Sequence, residues 1–359
     1  MLLNRQFVER GSLVVILFLL WVVPAPSRAQ TSPTDMTDMS LSELMSVRFT
    51  NESNPERQRW GIGYHYSQVL FEGYRDERNS ISLSALLGPP NGETFPILQT
   101  RIKQQAHIFS FTYNLTSSIR INVLAPYIRQ STEHISVVPG FSEFTIPSSG
   151  AGDAAFIVSS SLAEGVNKGW IISGGLSVPT GSITEKGHTP AGPGSQLPYT
   201  MQLGSGTWDI PVSFTYHSHL QAWNWGGQVL GQLRTGQNDR GYRLGHQLLV
   251  SLWTEKQLLK RLAASVKLTG QQWGRIKGND KNFPGPIYPT PVADPDAFGG
   301  TKVNLIFGLR TSSSKDMSSS SALRGQTFGL ELGFPVYQSL NGPQPEEDYR
   351  LNLSWTLSR

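Results

Sequence analysis

The 359-residue chain has no cysteine, which excludes disulfides, thiol nucleophiles and cysteine-type metal sites. Charge is also sparse, at 16% of residues, and the basic side chains are scattered. With no basic stripe and no reader motif, nucleic acid is not an expected partner. The sequence has no His-Glu-x-x-His helix, no Gly-x-Ser-x-Gly elbow and no Walker loop, the usual signatures of zinc proteases, serine hydrolases and NTPases. No catalytic residue, metal or cofactor is therefore expected, and the protein does not read as an enzyme. After residue 29 no apolar run approaches the ~20 residues of a spanning helix.

The one apolar run sits at the start, from Ser12 to Val23, behind Arg5 and Arg10. Pro24 and Pro26 close it, and Ser27-Arg28-Ala29 places small residues before a cut. This is the anatomy of a secretory signal peptide over 1–29, with no following cysteine for a lipid anchor. Its removal takes away Arg5, Glu9, Arg10 and Arg28, bringing the formal charge of +4 close to +2. Residues 30–57 read as a flexible periplasmic tail. Within it, 39–47 is a short amphipathic helix with Leu41, Leu44 and Met45 on one face and Ser40 with Glu43 as a capping box. Its Leu-Ser-Glu-Leu-Met run is similar to a short segment at the mature N-terminus of some TonB-linked barrels. That likeness implies docking into the periplasmic mouth or onto a periplasmic partner.

From Trp60 onward the period is two. Trp60, Ile62, Tyr64 and Tyr66 alternate with Gly61, Gly63, His65 and Ser67, and Phe328, Leu330, Leu332, Phe334 and Val336 follow the same rule. Strands with one apolar and one polar face are the direct consequence. About twelve such runs fall near 58–70, 101–114, 118–130, 153–163, 168–179, 207–217, 221–234, 241–254, 260–274, 301–311, 325–337 and 348–358. Each approaches the ~10 residues of a tilted membrane strand. Connections alternate between tight turns (115–117, 164–167, 218–220, 255–259) and long Gly/Pro/Ser/Asn-rich loops (71–100, 131–152, 180–206, 275–300). The short 235–240 and the serine-rich 312–324 break that rule.

A periplasmic β-sandwich would bury the apolar face, whereas a transmembrane barrel turns it to lipid. Aromatics near strand ends (Trp60, Tyr127, Trp170, Trp208, Tyr216, Tyr242, Tyr349) and the loop asymmetry favour the barrel. The expected fold is all-β: an antiparallel transmembrane β-barrel of about twelve strands over 58–359, in contact with outer-membrane lipid. Its polar face would line the lumen, with His65, Arg120, Asn122, Asp209, Arg243, Lys267, Asn304, Arg310, Glu331 and Arg350 as the candidate lining residues. His217 and His219 share a strand face but find no third ligand in the sequence, so no metal is assigned.

Three motifs recur in the middle of the chain. Gly150-Ala-Gly-Asp153 opens a strand, Gly175-Leu-Ser-Val-Pro-Thr-Gly181 ends the next, and Leu203-Gly-Ser-Gly-Thr-Trp-Asp209 begins a third. Gly204 and Gly206 suggest a phosphate loop at first sight. A strand follows them, however, and a phosphate cradle needs a helix N-terminus, so they read as the rim of a barrel. This ordered set (Gly150, Gly152, Asp153, Pro179, Thr180, Gly181, Gly204, Gly206, Trp208, Asp209) resembles the outer-membrane transporters of the MetA-pathway-of-phenol-degradation type. The resemblance implies a Gram-negative outer-membrane barrel passing small, often aromatic or hydrophobic, molecules by passive diffusion. The chain departs from barrel habit at its end, where Trp355 is followed by Thr-Leu-Ser-Arg359. Two other readings stand beside passage: a surface-binding or structural barrel with a closed lumen, and a barrel-embedded hydrolase.

Overall fold

A computed structural model describes residues 59–165, 168–313 and 325–359. The signal segment, the tail with its 39–47 helix, and the stretch 314–324 lie outside these residues.

The alternating runs form strands: β1 (Trp60–Glu77), β2 (Asn79–Ile81), β3 (Ile97–Asn114), β4 (Ile119–Ser136), β5 (Glu143–Ala151), β6 (Ala154–Gly165), β7 (Lys168–Val178), β8 (Lys186–Thr189), β9 (Gly192–Gln196), β10 (Asp209–Leu220), β11 (Trp223–Arg234), β12 (Tyr242–Arg243), β13 (Gln247–Leu259), β14 (Leu262–Trp273), β15 (Lys277–Gly278), β16 (Gly300–Ser312) and β17 (Gln326–Ser358). Helix is limited to one turn at Leu83–Leu86 and three short 3₁₀ segments among the described residues. Eleven strands close an antiparallel ring in the order β1-β3-β4-β6-β7-β10-β11-β13-β14-β16-β17 and back to β1. Two more, β2 and β5, pair outside that ring, while β8–β9 and β12–β15 are small ribbons in the loops.

An odd number of strands cannot close a ring in which every neighbour is antiparallel. The contradiction resolves at β17, which is 33 residues long. Its first half pairs with β16 up to Gly300↔Leu340, and its second half pairs with β1 from Glu77↔Leu340 down to Gly61↔Ser358. The direction reverses beside Gly342, whose φ of +63° suits glycine. The wall is thus crossed twelve times, although the last two runs, 325–337 and 348–358 in the sequence reading, are one continuous element.

Large apolar side chains are exposed all round the ring: Phe109 and Phe111 on β3, Phe156 on β6, Phe214 on β10, Val250 on β13, Phe307 on β16 and Phe334 on β17. An apolar surface this extensive is far beyond the patches soluble monomers show and is the lipid face of a transmembrane barrel. Trp60, Tyr127, Trp170 and Trp208 are exposed at its margins. Tyr242 is not among them. It is 1% exposed and packs edge-on against Tyr199 inside the loops, because the wall strand there starts at Gln247 and not at 241.

Other strands run further than alternation predicts. β1 continues to Glu77, and β3 and β4 pair up to Ile97↔Ser136. Above the belt both faces carry polar residues, such as the exposed pair Glu72 and Arg101. The apolar rhythm stops there while the hydrogen-bond ladder goes on. At Pro126, which has no N–H to donate, β4 changes partner from β6 (Ile119–Leu124) to β5 (Tyr127–Ile135). β5 and β6 therefore form one line along β4, broken at Gly152-Asp153.

Candidate functional site: the barrel interior and its rim

Strand parity decides which side chains turn inward. His65, Arg120, Asn122, Asp209, Lys267, Asn304, Arg310, Glu331 and Arg350 all stand on the face opposite the apolar belt, in positions that alternate with the more exposed belt residues. Arg243 does not. It lies in the loop ribbon β12, where its Nη1 donates to the Arg234 carbonyl at 3.3 Å.

The inward charges are tied to one another. Towards the short turns, Arg310 donates to Glu255 through Nε (3.1 Å) and Nη2 (2.7 Å), and Asn224 adds a third bond to that carboxylate. Arg120 Nε donates to Asn114 at 2.9 Å. Higher, Lys267 Nζ donates to Glu331 at 2.8 Å. Towards the loops, the buried Glu347 accepts from Lys302 Nζ (2.6 Å), from Asn304 (3.2 Å) and from Arg350 Nε and Nη2 (2.7 and 2.9 Å). Of these, Glu255, Lys302 and Glu347 were not singled out from sequence. Glu255 and Glu347 fall in stretches predicted as a turn and a loop, whereas Lys302 shares the parity of Asn304 and Arg310 and was within reach of the alternation rule.

Between these layers an apolar septum crosses the interior. Ala106, Ile108, Leu124, Ala155, Ile157, Leu230 and Leu249 form one buried cluster. β6 and β11 are separated in the ring by β7 and β10, so part of this packing bridges strands that do not pair. Ile108 and Leu230 are 0% exposed, so neither side chain borders open space. His65, also buried, has both ring nitrogens without a hydrogen-bond partner.

The rim brings the three sequence motifs together. The break at Gly152-Asp153 frees the Asp153 carboxylate from the wall. Its Oδ1 accepts from Gly181 N at 2.8 Å, and its Oδ2 accepts from Ser205 N and Ser205 Oγ, both at 2.7 Å. Thr180 Oγ1 donates to the Gly152 carbonyl and accepts from Ala154 N, beside the strand-ending Pro179. Gly181 and Gly204 meet backbone to backbone: a Cβ on Gly181 would lie 2.6 Å from the Leu203 oxygen, and one on Gly204 2.5 Å from Asp153 Oδ1. A Cβ on Gly150 would strike Leu203, and one on Gly152 would strike Ile128. Gly206 holds φ +67° beside Asn238, whose Nδ2 donates to the Ser205 carbonyl at 3.0 Å. Next in the chain, Trp208 points out and Asp209 in. Asp209 is bonded to Arg234 and, through Oδ1, to Thr207 at 2.8 Å, with no exposure at all. It is a clamp in a sealed rim and does not open onto a mouth. Its partner Arg234 ends a predicted strand on the parity of Gln232, so alternation put its inward position within reach, but not its pairing with Asp209.

Above the rim the loops pack on one another. Tyr199, Tyr242, Leu244, Ile276, Val292 and Phe298 make a second apolar core drawn from three loops. Tyr199 Oη accepts from Asp280 N at 2.8 Å, and burial pushes its phenol above the usual range. The loop after β9 is anchored to the wall by Gln130 Nε2, which donates to the Gln202 carbonyl at 2.9 Å, and by Ser148 Oγ, which donates to the Met201 carbonyl at 2.9 Å. His217 and His219 take no part in a metal cluster; among the described residues no three His, Asp or Glu side chains come together for one.

No family model matches the chain, and no curated protein matches it. Solved structures do. The COG4313 outer membrane channel from Pseudomonas putida F1 aligns with a TM-score of 0.58 at 16% identity, over 84% of this chain and 96% of that one. A FadL homologue from Pseudomonas aeruginosa aligns at 0.41 and 8% identity, over 84% and 90%. The TodX ΔS2S3 mutant monoaromatic hydrocarbon channel aligns at 0.43 and 8%, over 92% and 96%. The first alignment carries the conclusion: the chain shares the fold of an outer-membrane channel.

Proposed function

We propose that this protein is an outer-membrane barrel that admits small, uncharged or hydrophobic molecules by passive diffusion, with no covalent step. One observation carries the reading: an antiparallel ring with an apolar belt outside encloses a polar interior bridged by an apolar septum. Paired charges above and below (Glu347 with Lys302 and Arg350; Glu255 with Arg310) solvate polar solutes weakly, and the septum of Ile108 and Leu230 favours apolar ones. The ordered rim motifs support membership of the MetA-pathway-of-phenol-degradation type. Export by the 1–29 segment and docking of the 39–47 helix on a periplasmic partner belong to the same reading. In bilayers the refolded protein is expected to conduct ions poorly, with a weak anion preference. In liposomes it is expected to pass small neutral aromatics faster than sugars of equal size. Equal rates for both, or a large ohmic conductance, would overturn it.

The buried septum specifically favours a second reading, a barrel that binds at its loops without transporting. Liposome flux separates the two: that barrel gives none for any solute.

A further inference from the structure

On the outer face of β3, β4 and β5 the register stacks side chains in level rows. Phe111 with Val123, and then Phe109 with Ala125, are exposed on the lipid belt. One row up, His107 stands opposite Tyr127. Above them Gln105 stands opposite Arg129, which has Ser149 of β5 on its other side. Lys103 opposite Ser131 comes next, and the top row runs Glu72, Arg101, Glu133 and Thr145. A run of hydroxyl and amide groups marks where the hydrocarbon ends. Gln105 Nε2 donates to Tyr66 Oη at 2.6 Å, Tyr66 Oη donates to Gln68 Oε1 at 3.0 Å, and Gln68 Nε2 donates to Tyr349 Oη at 3.1 Å. Tyrosines with one wet end stand at headgroup level, and Lys103 and Arg129 share that level.

The three cations of this sector are not alike. Arg101 lies 3.7 Å from Glu72 and faces Glu133 across the ladder, so its charge is answered within the wall. Lys103 and Arg129 are exposed, and their side chains form no hydrogen bond or ion pair among the described residues. They are diagonal neighbours on paired strands, about 7–8 Å apart at the backbone, which lets one ligand reach both. Elsewhere the wall meets the loop side with exposed apolar side chains such as Trp208, Leu233 and Leu248. Unanswered positive charge at headgroup height is therefore concentrated on the β3–β4 sector, and its complement is an anion.

We propose that Lys103 and Arg129, with the exposed Ser149 hydroxyl beside them, bind the phosphates of a phosphorylated glycolipid, the lipopolysaccharide of the outer leaflet. Its acyl chains would lie down the wall over Tyr127, Ala125 and Phe109. The Arg129 guanidinium offers a two-pronged donor to one phosphate, and the Lys103 ammonium is a point charge for a second. A headgroup with two phosphates uses both cations, whereas a lipid with one phosphate uses them singly. Glu133, one row above Lys103 on the same face, repels a phosphate placed higher and so limits the headgroup to the two rows below it. The site lies on the outer wall and does not depend on passage through the interior.

The test is titration of the refolded protein in detergent micelles, with the lipid retained per barrel counted by native mass spectrometry. The probes are deep-rough lipopolysaccharide carrying both lipid A phosphates, the same lipid with one phosphate removed, and dioleoylphosphatidylglycerol. Saturable one-to-one retention of the first is expected, with the second about fivefold weaker and the third not saturating. Lys103→Gln and Arg129→Gln should each weaken retention about fivefold, the worth of one cation at a membrane surface, and the double variant should abolish the one-to-one adduct. Lys103→Arg should keep it. Arg101→Gln, whose charge is already paired, should change it about twofold or less. Heat-modifiable gel mobility reports folding of each variant. Equal retention of phosphatidylglycerol and lipopolysaccharide would reduce the sector to a general anionic margin and overturn the site. Unchanged retention in the folded double variant, or a loss in Arg101→Gln equal to that in Arg129→Gln, would overturn it too.

Discussion

The interior of this barrel has two halves built from the same residue types under different physical conditions. On the loop side, the side chains of Asp209 and Arg234 are 0% exposed, and Glu347 with Lys302 are 1% and 4%. On the turn side each pair has one open partner: Glu331 is 30% exposed and Lys267 11%, and Arg310 is 27% exposed and Glu255 5%. Ion pairs in the dry half are held by extra bonds from Thr207 and Asn304 and are costly to break one partner at a time. Pairs in the wetter half have one partner open to solvent, so they are more screened and contribute less to stability. The same inventory of Arg, Lys, Asp and Glu thus acts as structural clamps in one half and as an electrostatic lining in the other.

The strongest way to break this comparison is Asp209→Ala, which takes the carboxylate away from a fully buried Arg234. It should cost about 3–5 kcal/mol, seen as loss of the heat-modifiable band or a large fall in denaturant midpoint. A loss of less than 1 kcal/mol would dissolve the distinction between the halves. Next, Leu230→Ala opens the septum that divides them. A destabilisation of about 2–4 kcal/mol is expected, together with a rise in single-channel conductance over the unmodified protein. Stability lost without added conductance would place the barrier elsewhere, in the loops. Gly204→Ala probes the rim knot. Its Cβ meets the Asp153 carboxylate and the Gly181 backbone, so about 1–3 kcal/mol is expected, measured by urea unfolding in detergent micelles. The smallest effect belongs to the wet half. Lys267→Met should change stability by about 1 kcal/mol or less while moving the reversal potential in a salt gradient towards cations. A stability loss matching Asp209→Ala would show that this pair, too, is dry.

Much of the architecture was legible because alternation is a local property. The belt residues Phe109, Phe214 and Phe334 follow from a period of two, and so do the inward positions of His65, Lys267 and Arg310. Legibility failed where the lipid ended. Tyr242 and Arg243 alternate like a strand but lie in a loop core, and Glu347 sits in a stretch that continues as strand with no apolar rhythm to mark it. The rim motifs were visible as letters, but their reason was not. Nothing in Gly181 or Gly204 taken singly tells that their backbones touch, or that Asp153 bonds to a residue 52 positions away.

The sequence by itself determined which face of each strand meets lipid and that the wall would be crossed about twelve times, because side chains on neighbouring residues must point to opposite sides. Only the tertiary structure decided which charges are dry and which are wet, that an apolar septum bridges the interior, and that three separated motifs close into one rim. Those outcomes depend on contacts between strands and loops far apart in the chain, such as Glu255 with Arg310 and Leu230 with the β3–β6 wall, and on water excluded by loops folding over the barrel. No local period encodes them.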